Sequence, residues 1–302
     1  MNKVIAIIGP TGVGKTKLSI ELAKMLNTEV ISGDSIQVYR GLDIGSAKVT
    51  SEEMDGIPHH LIDILDLEEN YSVYDFQQQA RNIMDNMFTK GMVPIICGGT
   101  GLYIKSLLYD YTFNEEPKFD LSKYDEFTNE ELYERLLIVD PKACEKIHMN
   151  NRRRVIRSLA IYDNTNVRKS DIIDSQEHKL LYDVFLIGLT CDRELVYERI
   201  NKRVDIMMEN GLLDELNNLQ KFENVFDMQG LCGIGYKEFK PYFMNESSLD
   251  ECVENVKKHS RQFAKRQYTW FNNQMDVRWY DITEDLYLTR LIGDLKCWLE
   301  GK

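Results

Sequence analysis

The sequence predicts an α/β protein: a doubly wound parallel sheet with helices on both faces and mostly helical additions. Three observations carry this. Short apolar runs rich in β-branched residues alternate with segments of helical periodicity, and a phosphate-loop motif sits where the first run meets the first helix. With 302 residues, 43% of them hydrophobic and 28% charged, the chain can form one large domain with an insertion, or two domains.

Val4 to Ile8 is uninterrupted apolar sequence, as expected of a central parallel strand buried on both faces. Gly9 to Thr16, GPTGVGKT, follows at once and fits G-x-x-x-x-G-K-[ST] at every position. Leu18, Leu22, Met25 and Leu26 then recur at helical spacing, so the loop joins a strand to a helix, the context the motif requires. Glu29 to Ser32 reads as a second strand, Val93 to Cys97 as a third and Val184 to Leu189 as a further one. Ligands of such sheets gather at the carboxyl ends of the strands, where Asp34, Gly98 to Gly101 and Thr190 fall. Between Phe113 and Tyr182 the pattern turns charged and helical. Residues 113–182 are therefore expected as an insertion between core segments 1–112 and 183–302, with another helical block from Arg193 to Trp270.

Composition excludes several classes. Six cysteines without a C-x-x-C pair suggest neither a disulfide framework nor a zinc ribbon. No stretch approaches the roughly 18 apolar residues of a membrane span, and MNKVIAIIGP is too soon broken by Gly and Pro for a signal peptide. A soluble, cytoplasmic protein is expected, with no membrane association. The net charge of -12 opposes indiscriminate nucleic-acid binding but leaves room for local basic patches.

The motif usually announces ATP or GTP, yet its physics is less specific. Backbone N–H groups around Gly12 to Lys15 and the helix N-terminus form an anion cradle, Lys15 adds a point charge, and the Thr16 hydroxyl is placed to ligate Mg²⁺. None of this reads a nucleoside. A second carboxylate for the metal is missing, because VPIICGGTG ends in glycines and LIDILD is a weak substitute. Guanine recognition by N-K-x-D is absent too, since NKRVD has Val204 in place of the Asp. Asp34, one strand away from the cradle, can take a proton from a nucleophile, or it can close an Asx-turn or cap a helix within G-D-S. Arg199 and Arg203 share a helical face that can fold over a pyrophosphate or serve as a solvated, salt-bridged surface.

Two basic stretches oppose the acidic total: NNRRRVIRSL at Asn150 to Leu159, and KKHSRQFAKRQYTWF at Lys257 to Phe271, which includes Lys265 and Arg266. The second joins five cations to Tyr268, Trp270 and Phe271, a mixture suited to phosphate contacts and base stacking, or else to a charged helix face with its aromatics in the core. His59 and His60 are adjacent on an extended segment and point opposite ways, which argues against a shared metal.

Taken together, GPTGVGKT, SGDSIQVYRGLDIGSAK, PHHLIDI, GGTGLY, NRRRVIRSL, GIGYKE and RQFAKRQYTWF, in this order from about Lys3 to Phe271, resemble the tRNA dimethylallyltransferase family in its bacterial form. The resemblance implies a P-loop kinase-like core with a helical insertion. It also implies transfer of a dimethylallyl group from dimethylallyl diphosphate to the exocyclic N6 amine of adenosine at tRNA position 37, beside the anticodon, with release of pyrophosphate. Gly9, Pro10, Thr11, Gly12, Val13, Gly14, Lys15 and Thr16 would hold the diphosphate, Mg²⁺ would sit at Thr16, and Arg203 would help bind the leaving group. Asp34 matches the family's base. Asp34, Ser35, Ile36, Gln37, Thr100 and the segment Arg153, Arg154, Val155, Ile156 and Arg157 match positions that contact tRNA, and Lys265 and Arg266 are assigned there with them. Gly12 and Val13 stand where many relatives carry Ala and Ser. Two competing readings remain: a P-loop small-molecule kinase using ATP, and an isopentenyltransferase acting on free adenine nucleotides. No protein partner is implied.

Overall fold

The computed structural model describes residues 1–111, 119–175 and 178–301. The chain divides into two compact units, one formed by Met1–Tyr109 with Leu180–Lys302, the other by Asp110–Lys179. The boundary expected between residues 112 and 113 lies outside the described residues.

The larger unit is built on a parallel sheet of six strands among the described residues. These are β1 (Lys3–Ile8), β2 (Val30–Ser32), β3 (His59–His60), β4 (Ile95–Cys97), β5 (Asp183–Thr190) and β6 (Arg278–Asp281), in the order β3-β2-β4-β1-β5-β6. Alternation along β1 explains its unbroken apolar sequence. Ile5 and Ile7 enter a core with Leu18 and Leu22 of the Lys15–Leu26 helix, while Val4, Ala6 and Ile8 enter another with Phe76, Tyr103 and Phe271. Helices thus cover both faces, and both faces of the strand are dry.

Two expected strands are shorter than read. β2 begins at Val30, and β4 at Ile95 because Pro94, though its carbonyl accepts from Ile5 N at 3.0 Å, has no N–H to continue the ladder. The edge strands β3 and β6 were not foreseen. HH and RWYD carry no apolar run for periodicity to find.

Helix starts differ in a way that matters for the site. The Val73–Thr89 and Leu249–Gln274 helices open with capping boxes, Ser72 with Asp75 and Ser248 with Glu251, which satisfy their own first N–H groups. The Lys15–Leu26 helix opens on Gly14 with no side-chain cap and no acidic residue in its first turn. Its free N–H groups and positive dipole end are left for an anion. The Leu249–Gln274 helix runs past the carboxyl ends of the strands: Gln267 Nε2 donates to Gly99 O at 3.0 Å just beyond β4, and the Tyr268 hydroxyl is 2.8 Å from Thr190 Oγ1 at the end of β5.

The smaller unit has its own core, in which Tyr124, Leu132 and Leu136 pack on Val155 and Leu159 of the Arg152–Thr165 helix.

Candidate active site

The phosphate loop takes the conformation its glycines allow. Gly9 has φ 142°, and a Cβ there would lie 2.6 Å from Leu189 O; Gly14 has φ 86° as the helix begins. Side chains are unfavourable in such backbone. Between them, Val13 turns into the core and anchors the loop on the sheet while Thr11 faces a cavity, as does Thr16 in the first turn of the helix. Pro10 O accepts a hydrogen bond of 2.8 Å from Lys15 Nζ, so the ammonium is folded back under the loop. Burial pushes the Lys15 pKa down to about 8; Arg203 works the same way, and Cys97 and Asp34 oppose it. Thr16 is exposed, and its carbonyl accepts from Ser19 Oγ at 2.8 Å.

Asp34 follows β2, where Gly33 and Gly98 touch closely: a Cβ on Gly98 would stand 2.5 Å from Gly33 O. Asp34 Oδ1 accepts from Ile36 N at 2.8 Å and from Gln37 N at 3.3 Å. That is an Asx-turn. Oδ2, however, has no hydrogen-bond partner among the described residues, and Asp34 lines the same cavity as Lys15, Thr16 and Arg203. The two readings of this carboxylate coexist: one oxygen shapes the turn and the other is free to accept a proton.

The arginines separate. Arg203 lines the cavity and its Nη2 donates to Ala47 O at 3.3 Å. Burial lowers its pKa, with Asp34 and Glu53 acting against that, and a guanidinium remains charged at neutral pH. Arg199 is exposed, does not line the cavity, and its Nη1 donates to Gly12 O at 3.4 Å.

The cavity measures about 490 Å³ and is bounded by the ends of β2 and β4, the phosphate loop, and the Arg193–Glu209 and Leu249–Gln274 helices. Ser35, Ile36, Gln37, Thr100 and Arg266 line it. So do three groups that were not expected. Gln267 presents a buried Oε1 without a partner, its amide nitrogen being committed to Gly99 O. Cys97 is half-buried at the end of β4, and desolvation raises its thiol pKa. His59 turns Nδ1 to Ile57 O at 2.9 Å and leaves Nε2 buried with no partner among the described residues, and burial lowers its pKa. His60 points the other way, to Glu29 at 2.7 Å. No group of three or more His, Cys, Asp or Glu among the described residues could hold a metal.

Some expected residues fall elsewhere. Lys265, next to Arg266 but about 100° around the helix, lines a separate depression of about 170 Å³ beside Tyr197 and Tyr268. Val155 is fully buried in the core of the smaller unit, so its side chain is turned away from solvent. On the same helix Arg153, Arg154 and Arg157 are exposed and Ile156 is half-buried.

The family model described as IPP transferase matches residues 37–274. A tRNA dimethylallyltransferase of Anoxybacillus flavithermus is 49% identical over 302 residues, 99% of this chain and 97% of the relative. One of Bacillus cereus (strain AH187) is 50% identical over 310 residues, covering 99% and 95%. Among solved structures, a tRNA delta(2)-isopentenylpyrophosphate transferase from Staphylococcus epidermidis matches all of both chains with a TM-score of 0.75 at 43% identity. A eukaryotic dimethylallyltransferase acting on tRNA matches with a TM-score of 0.88 at 32% identity, over all of this chain and 80% of that one.

Proposed function

The chain belongs to the IPP transferase family, and from that membership and the chemistry of its cavity we infer that it prenylates adenosine in tRNA, drawing the dimethylallyl group from dimethylallyl diphosphate. The acceptor is the exocyclic N6 amine of the adenosine beside the anticodon, at position 37. One observation carries the reading: Asp34, whose Oδ2 has no partner among the described residues, shares one cavity with Lys15 at the uncapped start of the phosphate-loop helix.

The residues divide the work. Gly9 to Thr16 hold the diphosphate on loop and helix N–H groups, and Lys15 and Arg203 face the negative charge that grows as the allylic C–O bond breaks. The adenine amine is a weak nucleophile, its lone pair delocalised into the ring. Its nitrogen forms the new bond to the allylic carbon, its proton passes to Asp34 Oδ2, and pyrophosphate leaves with the C–O electron pair. The exposed Thr16 hydroxyl in the cavity fits Mg²⁺, a hard ion that keeps several waters and needs few protein ligands. When bound there, Mg²⁺ neutralises diphosphate charge. Ser35, Ile36, Gln37, Thr100 and Arg266 are the residues of this cavity that would meet the RNA, which places the base out of its stack in an anticodon loop. A cytoplasmic location is part of this reading, since the substrate is a tRNA, and no helix among the described residues is long and apolar enough to cross a membrane.

The test is incubation with dimethylallyl diphosphate, Mg²⁺ and unmodified tRNA, followed by digestion and mass analysis of the nucleosides. Adenosine gains one dimethylallyl group, and AMP offered in place of tRNA gains none. Consumption of ATP with a metabolite, and no prenylated adenosine, would replace this reading by the kinase one.

A further inference from the structure

The turn at residues 43–47, from the stretch GLDIGSAK, is held in an unusual way. Three successive N–H groups converge on one carboxylate: Asp43 N and Ile44 N donate to Glu215 Oε2 at 2.9 and 2.7 Å, and Gly45 N to Oε1 at 3.2 Å. Such a backbone concavity is the kind that binds anions, and here a side chain of the Leu212–Leu219 helix fills it. Tyr236, fully buried, closes the arrangement. Its hydroxyl donates to Glu215 Oε1 at 2.7 Å and accepts from Ser46 N at 3.0 Å, and its ring packs so close that a Cβ on Gly45 would lie 2.5 Å from it. Four consecutive N–H groups of the turn are thereby fixed by two side chains about 170 and 190 positions away.

The turn ends on Ala47, in the left-handed conformation at φ 49°, and its carbonyl accepts from Arg203 Nη2 at 3.3 Å and from Gln37 Nε2 at 3.4 Å. We propose that Glu215 and Tyr236 are positioning residues for Arg203: by locking the 43–47 turn they hold the Ala47 carbonyl where it aims the guanidinium into the cavity. Neither touches substrate. The GIGYKE stretch thus acts on diphosphate binding through Tyr236, in the reading of the site given above, on which this inference rests.

A double-mutant cycle tests it, with inorganic pyrophosphate in Mg²⁺ as the probe and calorimetry as the readout. Tyr236→Phe weakens pyrophosphate binding by about tenfold, as for misalignment of one charge-assisted hydrogen bond. Added to Arg203→Ala, the same substitution costs less than about twofold, because its effect passes through the missing guanidinium. A turn that is merely structural would give equal losses in both backgrounds. Should Tyr236→Phe be too unstable to assay, Glu215→Gln enters the same cycle with the same expectation. Unchanged affinity in the single variant, or additive losses in the double, overturns the proposal alone. A wild-type protein that fails to bind pyrophosphate overturns the functional reading and the proposal with it.

Discussion

Raising the pH from 7 to 9 should release a diphosphate from this site through one group. Burial brings Lys15 to a pKa of about 8 in the free protein. With only the ammonium form holding the ligand, the apparent Kd scales as one plus ten to the power of pH minus pKa, a factor that grows from about 1.1 at pH 7 to about 11 at pH 9. The loss is about tenfold, or about 1.4 kcal/mol. The anion in turn raises the Lys15 pKa, so binding takes up about 0.1 proton at pH 7 and about 0.9 at pH 9. An unreactive alkyl diphosphate is the suitable ligand, because a phosphate ester has lost its second proton near pH 6, about one unit below the range. Calorimetry in two buffers of different ionisation heat reads both affinity and proton uptake. Lys15→Arg, which does not titrate here, flattens the profile. A Kd independent of pH with no uptake, or a Lys15→Arg variant that keeps the wild-type slope, would refute the assignment. The sign for folding is opposite: a lysine lowered from 10.5 to about 8 destabilises the fold below pH 8, and that penalty fades as the pH climbs toward 10.5.

Asp34→Asn keeps an oxygen for Ile36 N and Gln37 N, so it should preserve the melting temperature and tRNA affinity while turnover falls by about 10²- to 10⁴-fold; an unchanged rate would remove Asp34 as the base. Arg203→Ala should weaken pyrophosphate binding by more than tenfold and Arg199→Ala by less than about fivefold, since a buried charged contact is worth about 1.5–3 kcal/mol and an exposed one about 0–1; equal losses would contradict the separation of the two arginines. Gly98→Ala should destabilise the protein by about 1–3 kcal/mol, because its Cβ meets the backbone oxygen of Gly33; thermal unfolding checks this, and an unshifted midpoint would mean the strand ends yield. Thr16→Val should raise the Mg²⁺ concentration at which pyrophosphate binding is half-maximal, and an unchanged midpoint would exclude the hydroxyl as a ligand.

What could be read from the sequence was local. The central strands declared themselves because burial on both faces demands an unbroken apolar run, and the phosphate loop because Gly9 and Gly14 adopt backbone few other residues tolerate. The edge strands β3 and β6 lacked such a demand. Residues of one motif also part company in three dimensions: the Arg152–Thr165 helix presents Arg153, Arg154 and Arg157 to solvent but turns Val155 into a core, and the Leu249–Gln274 helix sends Lys265 and Arg266 to different hollows. Glu215 was invisible for another reason. It is one acidic residue on an ordinary amphipathic helix, and only its meeting with Gly45, 170 positions earlier, gives it meaning. Gln267 likewise acquires its unpaired oxygen only once its helix lies across Gly99.

The order β2-β4-β1 has a consequence for what the site can become. Asp34 follows β2 and the phosphate loop follows β1, so one strand, β4, ending at Cys97 before Gly98 and Gly99, stands between base and cradle. Their offset is two interstrand steps, roughly 9–10 Å. That length belongs to the backbone ladder and is the hardest in the protein to alter. The space over the end of β4 is bounded instead by side chains, Thr100 and Gln267 among them. Such a sheet behaves as a ruler with an adjustable jaw: a lineage could trade one transferred group for a bulkier one by substitution there and leave the reacting distance untouched.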